Sequence, residues 1–309
     1  MSAQAPRQVA TSLLGLIGNT PLVELAKLSP PGRTIYAKLE GQNPTGSIKD
    51  RVALAMVEAA DLEPGQELLE PTSGNTGISL ALVAKLKGLK LTCVMPSNAT
   101  PERRVLLELY GATIIESPGE QGSNGAVRLA QEIAARDDRY VMLFQYGNEA
   151  NPRAHYDGTG AEIARDLPRV DALVAGLGTG GTLMGTGARL REAFPGVQIV
   201  AAEPLPGDPV MGLRSLEDGY VPPILDVDQL DRKLLVSNTE ASAAARVLLD
   251  REGLFAGVSA GAVVHVARRI AEELPEGATV VAVLADGGWK YLSAPFWSGE
   301  EIDEAVLWW

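Results

Sequence analysis

Cysteine is almost missing from this chain of 309 residues: Cys93 stands alone, so no disulfide can form within it. That usage fits a reducing compartment. Cys93 lies in the apolar run Leu91-Thr92-Cys93-Val94-Met95, where a buried strand residue is expected rather than a nucleophile. Histidine is nearly as scarce. His155 and His265 are too few and too far apart to suggest a metal cluster, and no residue is assigned to a metal. No apolar run reaches bilayer-spanning length, and no basic-then-apolar stretch opens the chain, so a cytoplasmic protein without a membrane partner is expected. Positive charge is in deficit, 27 Lys and Arg against 39 Asp and Glu, which leaves a formal net charge of −12. Such a surface repels a phosphate backbone and argues against nucleic acid, although a local basic pocket can still take a small anion.

What is present is an ordinary globular composition, 46% hydrophobic and 21% charged, in a chain long enough for one large α/β unit or two lobes. Short apolar, β-branched runs recur at Thr34–Leu39, Thr92–Met95, Ala112–Ile115, Tyr140–Phe144, Ala172–Ala175, Gln198–Ala201 and Thr279–Leu284. Helical patterns separate them: Arg51–Leu62, Gly77–Lys87, Pro101–Tyr110, Gly125–Ala135, Thr182–Ala193, Glu240–Asp250 and Ala262–Glu273. This alternation predicts mostly parallel sheets covered on both faces, with Gly88, Gly111 and Gly253 at helix C-termini. The stretch Pro204–Gln229 lacks periodicity and reads as a long ordered loop with a functional part. Ligands in such folds sit beyond the carboxyl ends of the strands, so the strand-to-helix turns carry the chemistry.

Four turns stand out. Asn43-Pro44-Thr45-Gly46-Ser47-Ile48-Lys49-Asp50-Arg51 puts a lysine in the first turn of a helix, where the positive dipole end lowers its pKa. That suits an amine that must be neutral to form an imine or take up a proton, though pairing with Asp50 at the surface is the plainer alternative. Glu70-Pro71-Thr72-Ser73-Gly74-Asn75-Thr76-Gly77 gathers hydroxyls, an amide and two glycines at a helix N-terminus, a natural carboxylate or phosphate cradle. Gly176-Leu177-Gly178-Thr179-Gly180-Gly181-Thr182-Leu183-Met184-Gly185 is a phosphate-cradling loop. Alone it does not decide between a phosphate monoester and a dinucleotide, because Glu203 ends the next strand where a ribose-binding acid would lie. Gly257-Val258-Ser259-Ala260-Gly261 heads another helix, and its serine alone reads as a cap.

In this order the four turns resemble the cysteine synthase and cystathionine β-synthase family of pyridoxal 5'-phosphate (PLP) enzymes, fold type II. The likeness is carried also by Ile17-Gly18-Asn19-Thr20-Pro21-Leu22, Lys38-Leu39-Glu40 and Asp286-Gly287-Gly288-Trp289-Lys290-Tyr291-Leu292-Ser293, and so runs from residue 17 to residue 293. The resemblance implies two α/β lobes with twisted, mostly parallel sheets and the cofactor in the cleft between them. It implies a smaller mobile lobe over residues 43–148, and a larger one from 1–42 plus 149–309. It makes Lys49 the Schiff-base residue and later the base at Cα. Asn75 would bond the cofactor's phenolic oxygen, Gly178, Thr179, Gly180, Gly181 and Thr182 its phosphate, and Ser259 its pyridine nitrogen. Thr72, Ser73, Thr76 and Gln145 would hold the substrate carboxylate. A single phosphate then replaces the dinucleotide, and Glu203 becomes an ordinary strand-end residue. A neutral hydroxyl at the ring nitrogen makes a weak electron sink, which favours β-elimination to an aminoacrylate and sulfur addition, giving L-cysteine.

One segment departs from the usual pattern. Where O-acetylserine enzymes carry a run like I-Q-G-I-G-A-G, this chain reads Val210-Met211-Gly212-Leu213-Arg214-Ser215-Leu216, and Arg214 replaces a small residue. A guanidinium suits a phosphoryl leaving group. The chain is most similar to the actinobacterial O-phosphoserine-dependent cysteine synthases (cysteine synthase B type), whose sulfur donor is a small thiocarboxylated sulfur-carrier protein. A homodimer is also implied. The terminal Val306-Leu307-Trp308-Trp309 is expected either to cover the cleft or to dock on the body or a dimer partner. An O-acetylserine and sulfide enzyme, a cystathionine β-synthase, and a non-catalytic PLP-containing regulatory protein remain the alternatives.

Overall fold

Apolar runs and amphipathic stretches alternate along the chain, and the elements follow them. The structure, a computed structural model, describes residues 9–292 apart from 73 and 100, together with 297 and 307. In chain order the elements are β1 (Leu22–Glu24), β2 (Thr34–Leu39), α1 (Lys49–Ala59), β3 (Glu67–Pro71), α2 (Asn75–Lys87), β4 (Leu91–Pro96), α3 (Pro101–Tyr110), β5 (Thr113–Ser117), α4 (Gly122–Arg136) and β6 (Tyr140–Met142). Then come α5 (Ala150–Ala154), a π-helical turn His155–Gly160, α6 (Ala161–Asp166), β7 (Ala172–Gly176), α7 (Gly181–Ala193), β8 (Gln198–Pro204), β9 (Arg232–Val236), α8 (Asn238–Glu252), α9 (Val258–Glu273) and β10 (Thr279–Leu284).

Two sheets result. A six-stranded sheet runs β1-β2-β10-β7-β8-β9, and a four-stranded sheet runs β5-β4-β3-β6. Every neighbouring pair is parallel except β1 with β2. Parallel strands are buried on both faces, so they read as unbroken apolar runs. β4 (Leu-Thr-Cys-Val-Met-Pro) is buried at every position, and β10 at all but Thr279. Cys93 is fully buried in β4, and burial pushes its thiol pKa far up, so it is an inert core residue. α2 is buried without a break from Thr76 to Ala84, as expected of a helix apolar all round. α8 opens with a capping box, Ser237 and Glu240 each bonding the other's end, and closes at Gly253 in the left-handed region. Among the described residues no helix is long and apolar enough to cross a membrane.

The alternation is as expected, with differences that have physical reasons. β1 and β9 lie at the sheet edges and are partly exposed, so they lack an apolar run. The helical stretch 150–166 escapes the periodic reading because its π turn breaks the 3.6-residue repeat. Pro204–Gln229 is a long connection between β8 and β9 that holds only two short 3₁₀ turns. Leu307 is buried in the core of the larger sheet, whereas Val306, Trp308 and Trp309 lie outside the described residues.

A buried knot of charge explains two of the sequence segments. Arg51 bonds Glu40 through Nε and Nη2 (2.8 and 2.9 Å) and Glu162 through Nη1 and Nη2 (2.7 Å each). Lys38 Nζ adds a bond to Glu162 at 2.7 Å, and Thr20 donates to Glu40 at 2.8 Å. Gly18 has φ +90, and a Cβ there would fall 2.9 Å from Arg51 Nη1, so glycine is required on both counts. Two cations and two anions balance, which is how buried charge is tolerated. The knot fixes the helix that begins with Lys49.

Candidate active site

The carboxyl ends of β3, β7 and β10 open on one cleft, and the turns leaving them line it. An inner cavity is walled by Lys49, Gly178, Thr179, Thr182, Gly212 and Ser259. It shares Lys49, Gly178, Thr179 and Ser259 with a larger outer cleft that reaches Thr72, Asn75, Thr76, Gln145, Arg103 and Arg214.

Lys49 is the first residue of α1, and its own N–H bonds Ser47 Oγ at 3.2 Å. Burial pushes its amine pKa down, and Asp286 opposes this only in part. Asp50 does not pair with it. That carboxylate turns the other way, accepting from Thr45 and from Ser79 Oγ at 2.6 Å, so the lysine is left to the cavity. Across from it, Gly180 has φ +89 and leads into the 13 residues of α7. A Cβ on Gly181 would lie 2.0 Å from Asn151 Oδ1, which only glycine avoids. The turn therefore presents backbone N–H groups and two threonine hydroxyls at a helix N-terminus, a cradle for a phosphate. Ser259, in the first turn of α9, brings one neutral hydroxyl to the same cavity. A desolvated amine, an anion cradle and a neutral hydroxyl around one cavity fit PLP.

The outer cleft is held from both sides. Thr76 Oγ1 donates to Gln145 Oε1 at 2.8 Å, so two residues expected at the substrate carboxylate meet each other. Thr72 Oγ1 accepts from Gly74 N at 3.3 Å, and Ser73 lies outside the described residues. Asn75 Nδ2 donates to Asp286 Oδ2 at 2.7 Å, and its Oδ1 accepts from Lys290 Nζ at 2.8 Å. Arg214 faces the cleft with its guanidinium 5.2 Å from the ring centres of both Tyr146 and Tyr220. Its polar partner is the neutral Asn124 Oδ1 at 3.5 Å, on α4 of the other sheet's side.

The comparisons with known proteins agree with this geometry. A family model described as pyridoxal-phosphate dependent enzyme matches residues 13–286. The chain belongs to that family. A cysteine synthase of Staphylococcus aureus is 40% identical over 300 residues, 93% of this chain and 96% of that protein. Cysteine synthase B of Pseudomonas aeruginosa is 43% identical over 286 residues, covering 90% and 94%. Among solved structures, a cysteine synthase from Entamoeba histolytica superposes with TM-score 0.91 at 32% identity, covering 99% of this chain and 98% of that one. An O-ureido-L-serine synthase superposes at 0.89 and 38%, covering 97% and 99%. This chain is thus a PLP-dependent β-replacement enzyme with the two-lobed fold of the cysteine synthases, and PLP is its cofactor.

For this PLP enzyme several site residues escaped the sequence reading. Glu70 is fully buried and accepts from Phe144 N at 2.7 Å and Gln145 N at 3.1 Å. Burial raises its pKa to about 8 against those bonds. It thereby holds Phe144 at φ +54, a left-handed backbone rare for a bulky residue, and aims Gln145 at the cleft. Asp286 is buried, accepts from Tyr291 Oη as well as Asn75, and has its pKa raised by burial. Arg103 lines the outer cleft from α3, with the thioether of Met211 at 3.5 Å as its partner. Glu203 is more than an ordinary strand end: it accepts from Leu216 N at 2.7 Å and Ser215 Oγ at 3.4 Å, bracing the loop that carries Arg214. A glutamate at the end of an apolar run signals such a role for both Glu70 and Glu203; Arg103 carries no such signal.

Proposed function

We propose that the enzyme makes L-cysteine from O-phospho-L-serine, with sulfur delivered by a small carrier protein bearing a C-terminal thiocarboxylate. Arg214 carries the reading. A guanidinium set against a T-shaped pair of tyrosines and weakly bonded to a neutral amide offers its donors to a phosphoryl group. PLP, once bound, supplies the electron sink for negative charge at Cα.

The chain's residues would divide the rest of the work. Lys49, whose burial favours loss of its proton, takes the Cα proton of the substrate. The Cβ–O bond then breaks and the oxygen leaves as inorganic phosphate, its charge met by Arg214. The carrier's thiocarboxylate sulfur adds at Cβ, Lys49 returns the proton to Cα, and hydrolysis of the resulting thioester by water releases the carrier's carboxylate and L-cysteine. Thr72, Ser73, Thr76 and Gln145 hold the carboxylate, Asn75 the cofactor's phenolic oxygen, Gly178 to Thr182 its phosphate and Ser259 its ring nitrogen. Residues 43–148 move as the smaller lobe and close when the carboxylate binds. A cytoplasmic homodimer completes the proposal.

The experiment is stopped-flow absorbance on the holoenzyme without a sulfur donor. O-Phosphoserine and O-acetylserine are mixed separately with wild type and Arg214→Ala. Fast bleaching of the cofactor band by O-phosphoserine, slowed at least about tenfold in the variant, is expected. A faster reaction with O-acetylserine that the substitution leaves unchanged would make the protein a sulfide-using O-acetylserine enzyme instead.

A further inference from the structure

His155 is 1% exposed and has no part in the chemistry above. It opens the π turn, and its ring sits between two hydroxyls: Nδ1 lies 3.0 Å from Thr159 Oγ1, and Nε2 lies 3.3 Å from Thr182 Oγ1. Four residues earlier, on the same helix face, Asn151 Nδ2 reaches Thr179 Oγ1 at 3.0 Å. Thr179 and Thr182 are the two hydroxyl residues of the cradle at α7. One helix thus stands behind the cradle and touches both of its hydroxyls from the rear.

Hydrogen-bond accounting fixes the direction at Thr179. Asn151 Nδ2 also donates to the carbonyl of Gln145 at 2.8 Å. A carbonyl only accepts, so the amide cannot be turned round. Thr179 Oγ1 therefore accepts from Asn151, and it accepts as well from Gly181 N at 3.3 Å. With two donors on its oxygen, the threonine must point its own hydrogen elsewhere, and the inner cavity is the open side. Thr182 is held in the same manner if His155 donates through Nε2–H, which makes Nδ1 the acceptor for the Thr159 hydroxyl. The ring is neutral: burial pushes its pKa well below the usual value, and the charges of Lys49 and Arg51 push the same way against Glu162.

We propose that Asn151 and His155 are positioning residues that turn the Thr179 and Thr182 hydroxyl hydrogens toward the cofactor phosphate, with His155 in the neutral Nε2–H form. The inference rests on residues 178–182 being the phosphate site. A hydroxyl already accepting behind is a better donor in front, and a pre-set hydroxyl loses no rotational freedom on binding.

The test compares PLP with pyridoxal, which lacks the phosphate, for affinity to the full-length apoenzyme by cofactor fluorescence. His155→Phe is expected to weaken PLP about tenfold and leave pyridoxal unchanged. His155→Gln, which keeps a donor, is expected to restore most of the difference. Thr182→Val should match His155→Phe, and the double variant should be no worse than Thr182→Val alone. If Thr182→Val lowers the PLP-to-pyridoxal preference and His155→Phe does not, the positioning role is wrong while the phosphate site stands. If Thr179→Val and Thr182→Val both leave that preference unchanged, the phosphate assignment itself falls. Nitrogen-15 NMR of the wild-type holoenzyme needs no variant to fold: a proton on Nε2 at neutral pH supports the proposal, and one on Nδ1 overturns it.

Discussion

Asn75 donates to Asp286 at 2.7 Å, tying the first residue of α2 to the turn that follows β10. The bond joins the ends of the two sheets in the cleft that Lys49 also lines. Asp286 is also the charge that holds the lysine's pKa up against burial. Asp286→Asn keeps a polar side chain and removes that charge, so the Lys49 pKa falls further. The rate at which apoenzyme captures PLP should then rise at lower pH than in wild type. An unshifted pH profile would show that Asp286 does not act on the amine.

Breaking the knot around Arg51 leaves buried charge uncompensated. Glu162→Gln is expected to cost about 3–5 kcal/mol in a denaturant titration, because Arg51 and Lys38 keep their charges with one anion fewer. Burial alone would raise the Glu162 pKa, but bonds and charge from Arg51 and Lys38 hold it at about 2. Its contribution is therefore complete above the ordinary carboxylate range and is lost as pH falls through about 2. Wild type and variant should converge in stability in strong acid; a gap that persists there would locate the loss elsewhere.

Glu70 works in the opposite sense. Its folded pKa of about 8 lies above the ordinary value, so the folded chain holds a proton that the unfolded chain has lost. The associated stability is full below the unfolded pKa and declines as pH rises through about 8, by about 1.4 kcal/mol per pH unit in that window. Glu70→Gln should flatten the fall in urea midpoint between pH 5.5 and 8.5. Because Gln145 hangs on the same carboxylate, the variant should also raise KM for the amino-acid substrate.

Arg103 faces Arg214 across the outer cleft, one on α3 and the other on the loop after β8. Each reaches weakly to a residue on the far side, Met211 and Asn124. A dianionic substrate would bridge the two better than either contact does. Arg103→Ala should raise KM for O-phosphoserine by about threefold to tenfold and flatten its salt dependence. An equal change for O-acetylserine would remove Arg103 from phosphoryl binding.

Most of the fold could be read from local pattern, and the outcome shows where such reading ends. Thr34–Leu39, Pro101–Tyr110 and Thr279–Leu284 form as expected to the residue, because each is a clean apolar run or a clean amphipathic period. β1 and β9 were hidden by their exposed edges, where charges such as Arg232 and Lys233 replace the run. Lys49, the Gly178–Thr182 turn and Ser259 each stand in a single turn that the sequence marks out, and the structure brings residues of all three to one cavity. Asp286 and Glu70 act on Asn75 and Gln145, 211 and 75 residues away along the chain, and no local pattern encodes such pairings.

The π turn His155–Gly160 sets a phase. At its N-terminal side, Asn151 and the turn's own first residue, His155, face the cradle at α7; C-terminal to it, Glu162 faces Arg51 beside Lys49. A π turn is wider than an α turn, and removing one residue there rotates everything beyond it by about 100°. Straightening this helix would leave Asn151 and His155 behind the two threonines while swinging Glu162 out of the knot. The wide turn thus keeps the two ends of one helix in register with two different segments, the glycine-rich turn before α7 and the first turn of α1.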